Sequence, residues 1–133
     1  MVLVDTSVWI RFLANKQPYA GELESLLDKD EVSGHELVFG ELLIGDVATG
    51  NKAGRAELLA AYVQMHRATA VSHEEVVAFV RGRRLQGRGA GWIDIHLLAS
   101  AVVENLQLWT ADKSCEALAV ELGVNYTRSG LLQ

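Results

Sequence analysis

Four carboxylates occupy places where a solvated surface does not put them. Asp5 ends the apolar run Val2-Leu3-Val4, and Asp112 lies just beyond Leu106-Gln107-Leu108-Trp109-Thr110. Glu41 sits inside Val38-Phe39-Gly40-Glu41-Leu42-Leu43-Ile44, and Asp94 inside Trp92-Ile93-Asp94-Ile95. An ionised carboxylate among apolar neighbours is costly unless something positive pairs with it. Neither Glu41 nor Asp94 has a Lys or Arg at the i±3 or i±4 positions that share a helix face. A bound cation resolves that cost. Oxygen-only ligation selects a hard ion, Mg²⁺ with Mn²⁺ as the alternative, over zinc or copper. Such ions activate water, orient a phosphate and stabilise in-line displacement at phosphorus. Nuclease or phosphatase chemistry therefore follows more naturally than acyl transfer.

Each acid also has a simpler reading. Asp5, Asp112 and Asp94 lie at helix starts, where Asp is a favoured N-cap, and Glu41 could point to solvent. Taken singly, capping is the plainer account; taken together, four acids at element ends or on apolar helices favour a metal pocket. The histidines at 35, 66, 73 and 96 form no H-E-x-x-H pattern. His96, two residues after Asp94, faces away from it on a helix. Cys115 has no companion base and suits burial. No G-x-S-x-G elbow, Walker-type loop or dinucleotide fingerprint is present, and the glycines at 87, 89 and 91 follow a helix rather than a strand. Arg81, Arg83, Arg84 and Arg88 gather without an intervening acid. Guanidinium forks suit phosphates and bases, so they are candidate RNA contacts at the rim of the pocket. Equally, they could be a solvated helix end whose cations complement the dipole.

The chain that must position these residues has 133 residues, of which 50% are hydrophobic and 22% charged. That is a single folded domain over 1–133, not a disordered segment. A net charge of −5 excludes coating nucleic acid by bulk charge. One cysteine excludes an internal disulfide or zinc knuckle and fits a reducing cytosol. No targeting leader is expected, because Met1 runs straight into Val2-Leu3-Val4-Asp5 without a basic, then apolar, stretch. The longest apolar-rich stretch, Ile95 to Val103, is about half a membrane span. A soluble, cytoplasmic protein with no membrane partner is expected.

Short β-like runs alternate with helical ones. Strands are expected at Val2–Val4, Glu31-Val32, Ala70-Val71, Leu106–Thr110 and Val124–Tyr126. Helices are expected at Ser7–Ala14, Gly21–Leu27, His35–Val47, Lys52–Arg67, His73–Arg84 after a Ser72 cap, Trp92–Glu104 and Asp112–Leu122. A break is expected at Thr49-Gly50-Asn51. This alternation predicts an α/β fold in three layers with a parallel sheet. In such sheets ligands bind beyond the carboxyl ends of strands, where Asp5 and Asp112 would converge.

Val2-Leu3-Val4-Asp5-Thr6-Ser7-Val8-Trp9-Ile10, Gly40-Glu41-Leu42, Asp94 to Ala101 and Thr110-Ala111-Asp112 resemble the successive motifs of PIN-domain ribonucleases, most closely the VapC toxin branch of type II toxin–antitoxin systems. The resemblance runs through the whole chain in order. It implies an α/β/α sandwich on a parallel sheet of four to five strands. It implies Asp5, Glu41, Asp94 and Asp112 as the catalytic acids. Asp5 and Asp94 would be direct metal ligands, Glu41 and Asp112 would act through water, and Thr6, Ser7 or Thr110 would supply supporting hydroxyls. Glu116 would be an auxiliary acid or an exposed helix residue. The implied activity is endoribonuclease cleavage of structured RNA, tRNA or rRNA, by metal-activated water. The implied partners are a VapB-type antitoxin and a second copy of the chain in a homodimer. Trp9, Phe12 and Leu13 would line the antitoxin groove or lie in the core. Cys115 stands where relatives often carry an aromatic, and His96 at a variable position. A haloacid-dehalogenase-type phosphatase is disfavoured because Ser7 stands where it needs an acid, and a receiver domain lacks its mid-chain Asp. The remaining alternative is a catalytically silent PIN-like module that binds RNA or protein.

Overall fold

A computed structural model of the chain describes residues 1–45 and 52–127. Among these, the elements in chain order are β1 (Val2–Val4), α1 (Thr6–Leu13), α2 (Tyr19–Asp28), β2 (Val32–Gly34), α3 (Glu36–Ile44), α4 (Lys52–Tyr62), β3 (His66–Arg67), α5 (His73–Arg83), α6 (Trp92–Glu104), β4 (Gln107–Trp109) and α7 (Lys113–Leu122). The strands form one parallel sheet in the order β3-β2-β1-β4. The α/β reading therefore holds, with four strands. The fifth, expected at Val124–Tyr126, is reduced to a single parallel bridge between Leu108 and Asn125.

The chain leaves β1 toward β2 and β3, then crosses back to place β4 on the other side. Right-handed crossovers put the helices of the two journeys on opposite faces. Accordingly α1 packs on α2 and α3, and α3 on α4, while α5 packs on α6, and α6 on α7. β1, covered on both faces, is buried at all three residues, as an uninterrupted apolar run requires. Leu3, Val4 and Leu108 in the sheet, Val8 and Leu23 on one face, and Leu97, Leu98 and Leu118 on the other form the core. The reversal of strand order falls between β1 and β4, and their carboxyl ends flank the crevice that such a switch creates.

Several boundaries differ from those expected. The helix expected over Lys52–Arg67 ends at Tyr62, and its last residues become β3. That strand is an exposed pair, His66 and Arg67, at the sheet edge; Ala68 extends its ladder by donating to the Gly34 carbonyl at 2.8 Å. The strand expected at Ala70-Val71 is absent because edge pairing here is made by backbone and needs no apolar run. β2 begins at Val32 and runs through Ser33 and Gly34, all buried. The Tyr62 ring lies where a Cβ at Gly34 would project, so this strand end has no room for a side chain. α2 starts at Tyr19 rather than Gly21, and α3 stops at Ile44, where Gly45 turns extended. The break expected at Thr49-Gly50-Asn51 lies outside the described residues.

Candidate active site

The end of β1 is built around Asp5, whose side chain is almost wholly buried. Its backbone N–H donates to the Trp109 carbonyl at 2.9 Å, which locks the ends of β1 and β4 together. Its carboxylate Oδ2 accepts from the Ser7 hydroxyl at 2.6 Å and the Thr110 hydroxyl at 2.9 Å. The Ser7 backbone N–H also points at Oδ2, at 3.4 Å, so Asp5 is the N-cap of α1 as well. The two hydroxyls accept in turn: Ser7 Oγ from the Ala111 N–H at 3.0 Å, and Thr110 Oγ1 from the Asp112 N–H at 3.1 Å. This web fixes Asp5 relative to the segment that carries Asp112.

Asp112 caps α7, accepting from the Cys115 N–H at 2.8 Å. Capping and membership of the cluster are thus compatible, because a cap uses one carboxylate oxygen for backbone donors. Glu41, near the end of α3, accepts from the Thr6 hydroxyl at 2.6 Å. The three expected hydroxyls therefore touch the acids: Thr6 on Glu41, Ser7 and Thr110 on Asp5. Asp94 is not the cap of α6; Gly91 is. It stands in the first turn and receives a backbone hydrogen bond from Gly91.

The electrostatics of Asp94 reflects the other three acids. The Asp94 carboxyl is pushed up to about 6, first by burial and then by the charges of Asp5 and Asp112, with Glu41 adding a smaller push. The one opposing influence is the Gly91 hydrogen bond, and no cation is among the causes. Three acids carried by other elements thus add to burial in raising Asp94. The oxygen-only donor set fits a hard divalent cation. Among the described residues, no three His, Cys, Asp or Glu side chains stand close enough to enclose an ion unaided, so water would complete any coordination shell, as is usual for Mg²⁺.

The neighbouring residues divide clearly. Cys115 is fully buried, and burial followed by the charges of Asp94 and Asp5 drives its thiol far above the usual range. It is packing beneath the acids. Glu116 is half-buried rather than exposed, and burial alone raises its carboxyl. His96 packs edge-on against Trp92, with centroids 5.0 Å apart, as expected for a side chain facing away from Asp94. Arg81 and Arg83 lie in the last turn of α5 and Arg84 caps it in the left-handed region, all exposed. Arg88 pairs with Glu121 at 3.2 Å, the only ion pair among the described residues. The loop beyond it packs on the first turn of α7: Gly89, at φ +91°, leaves no room for a Cβ beside Ser114, two residues past Asp112. Trp9 and Leu13 are buried in the core, and Phe12 is packed against it.

His35, expected as the first residue of a helix, is instead its N-cap. It is fully buried, caps α3 through Nδ1, and reaches Ser100 on α6. Only its position just before an apolar helix hinted at a cap.

Comparison with known proteins adds the lineage. Residues 2–121 match the PIN domain family. The chain is 40% identical over 125 residues to Ribonuclease VapC32 of Mycobacterium tuberculosis, in both the CDC 1551 and the H37Rv strain, a match covering 93% of this chain and 94% of the relative. Among solved structures, PAE2754 from Pyrobaculum aerophilum superposes with a TM-score of 0.57 at 17% identity, over 92% of this chain and 94% of that one. At that identity the likeness speaks to the fold alone.

Proposed function

The chain belongs to the PIN-domain family, in its VapC ribonuclease branch, and we propose that it is a Mg²⁺-dependent endoribonuclease, the toxic component of a VapBC-type pair, acting in the cytoplasm on structured RNA such as tRNA or rRNA. The observation that carries the reading is that burial, and then the charges of Asp5, Asp112 and Glu41, raise the Asp94 carboxyl, with no cation among the causes. A cluster of that kind is costly to maintain and suits a site that works with a bound divalent ion. Mn²⁺ would satisfy the same oxygens.

Asp5 and Asp94 would hold the ion directly, with Glu41 and Asp112 positioning its waters. When bound, the ion supplies charge for the phosphate and lowers the pKa of water. The chain's own residues do the rest. Ser7 and Thr110 hold Oδ2 of Asp5, which would leave its other carboxylate oxygen for the ion. Thr6 orients Glu41 from the opposite side. Protonated Asp94 has no charge to offer, so the cluster is competent once that carboxyl has ionised. Arg81, Arg83 and Arg84 are exposed and would meet the RNA backbone; Arg88 would first exchange Glu121 for phosphate.

A groove of about 540 Å³ between α1, α2 and α4 supports the antitoxin partnership. Phe12, Leu13, Leu27 and Leu58 form its apolar floor, and Glu24 and Glu57 stand at its edge. It suits an apolar segment flanked by basic residues. No described helix is long and apolar enough to cross a membrane. A homodimer and a single catalytic domain over 1–133 complete the proposal.

The test is cleavage of total cellular RNA by the purified chain with Mg²⁺ or Mn²⁺, beside an EDTA control and Asp94→Asn. Discrete metal-dependent fragments that vanish in the variant are expected. Equal cleavage by the variant would overturn the assignment of the site, and intact RNA in every buffer would overturn the activity.

A further inference from the structure

Arg11 is held in one pose by two uncharged groups. Its Nη1 donates to the Ser7 carbonyl at 2.8 Å, and its guanidinium carbon lies 5.4 Å from the centre of the Tyr19 ring. Neither partner neutralises it, and among the described residues the only ion pair is Arg88–Glu121. A guanidinium is charged at every accessible pH and carries several N–H donors in a planar fork. One bond to a carbonyl leaves most of that fork available.

Both tethers lead back to the acids. Ser7 is the residue whose hydroxyl donates to Asp5 at 2.6 Å. Tyr19 stacks on Trp109 with centroids 6.0 Å apart, and Trp109 precedes Thr110, whose hydroxyl donates to the same Asp5 oxygen. The cation is therefore fixed from two sides at the flank of the β1–β4 crevice. Helical side chains lean toward the N-terminus, which turns Arg11 toward that end of α1. Its charge is absent from the influences on Asp94, so it does not relieve that carboxyl.

An RNA strand entering this crevice brings several phosphates to a protein of net charge −5. The phosphate at the acids is served by the ion they would hold; the next one along the strand needs another cation. We infer that Arg11 binds an RNA backbone phosphate flanking the one that is cut, as a pre-positioned clamp on the α1 side of the crevice. This inference rests on the ribonuclease reading for the path of the strand. Arg81, Arg83 and Arg84 belong to α5 and its cap, so the two sets of cations would grip the strand from different elements.

The test uses the full chain carrying Asp94→Asn, which keeps RNA intact, and measures binding of a short fluorescent single-stranded RNA pool across a NaCl series at fixed Mg²⁺. Adding Arg11→Gln should weaken binding about 5- to 10-fold and flatten the salt slope by about 0.7, the loss of one phosphate contact on a single strand. Arg11→Lys should keep the slope, because it keeps the charge, while recovering only part of the affinity. In the otherwise wild-type chain, Arg11→Gln should raise KM and leave kcat within about 2-fold, the signature of lost binding shared by ground and transition states. A structural role alone would lower the melting temperature without changing the salt slope. Unchanged affinity and slope in Arg11→Gln would overturn the inference, as would failure of the parent chain to bind RNA. Absence of cleavage by the wild-type chain, with the Arg11 effects on binding intact, would instead overturn the ribonuclease reading and keep Arg11 as a phosphate contact of an RNA-binding chain.

Discussion

His35 Nε2 lies 3.0 Å from Ser100 Oγ, and both residues are wholly buried. The surrounding bonds assign every proton in this contact. Leu37 N–H donates to Nδ1 at 3.1 Å, so Nδ1 is bare and the ring proton sits on Nε2. Ser100 accepts that proton and passes its own to the Thr69 carbonyl at 3.0 Å. The chain of bonds ties the start of α3, which carries Glu41, to α6, which carries Asp94. Two acids from opposite faces of the sheet thus share one internal brace.

Removing the brace should cost stability. His35→Ala loses an N-cap, about 1 kcal/mol, and leaves the buried Ser100 hydroxyl with one partner fewer, about 1–3 kcal/mol more. Urea denaturation should show a loss of about 2–4 kcal/mol. His35→Asn keeps a capping side chain and should lose less. Burial holds the His35 imidazole below its ordinary value, so its neutral form stabilises the fold fully above that value. That contribution fades as pH falls and the unfolded chain takes up the proton first. A wild-type profile equal to that of His35→Asn between neutral and mildly acid pH would disprove the assignment.

The hydroxyls around Asp5 should matter for metal affinity more than for folding. Thr110→Val removes one of two hydroxyl donors to Oδ2 and the acceptor for the Asp112 N–H. Groups that orient metal ligands typically contribute about 10- to 100-fold in affinity. Calorimetric titration with Mn²⁺ should show a loss in that range for Thr110→Val, with recovery in Thr110→Ser, which keeps the hydroxyl. Equal affinity in wild type and Thr110→Val would show that Thr110 does not position Asp5.

What the sequence disclosed follows from how locally each feature is encoded. α6 begins and ends where expected because a glycine entrance and a long apolar run mark it without tertiary help. Ser72 caps α5 as its type and place predict, accepting from Glu75 N–H at 3.2 Å. The four acids stood out because each combines an element end, or an apolar helix, with a charge. β3 stayed hidden because two exposed polar residues at a sheet edge carry no hydrophobic signal. Trp9 could not be divided between groove and core by type alone; α1 turns it inward beside Val8. Arg11 and His35 were illegible for a stronger reason. Their partners, Tyr19 for one and Ser100 for the other, meet them only once the helices have packed.

The groove between α1, α2 and α4 offers a prediction about the partner. Glu24 and Glu57 are exposed at its edge, and rim charges act mainly on association rate and salt dependence. The double reversal Glu24→Lys with Glu57→Lys should weaken antitoxin binding at least about 10-fold at low salt, with the gap closing as salt rises. RNA cleavage by the free chain should be unchanged, since neither residue touches the acid cluster. Surface plasmon resonance at two ionic strengths checks this, and undiminished binding would move the antitoxin to another face.

The acid cluster makes its own prediction about pH. Because the folded Asp94 titrates at about 6, above its unfolded value, the folded chain retains a proton that the unfolded chain has lost. Stability from this group is complete below the unfolded value and disappears as pH rises through about 6. In EDTA, the wild-type melting temperature should therefore carry a downward contribution between mildly acid and neutral pH that is absent from Asp94→Asn. His35 acts in the opposite sense in part of that window, but it is present in both proteins and cancels in their difference. At neutral pH without metal the variant should be the more stable of the two. Mg²⁺ should then raise the wild-type melting temperature above pH 6, where Asp94 is ionised, and have much less effect on wild type below it or on the variant at either pH. Thermal melts at two pH values, with and without Mg²⁺, provide the check. Parallel profiles for wild type and Asp94→Asn would mean that the four carboxylates do not share the strain assigned to them, and with it the case for a cation among them would fall.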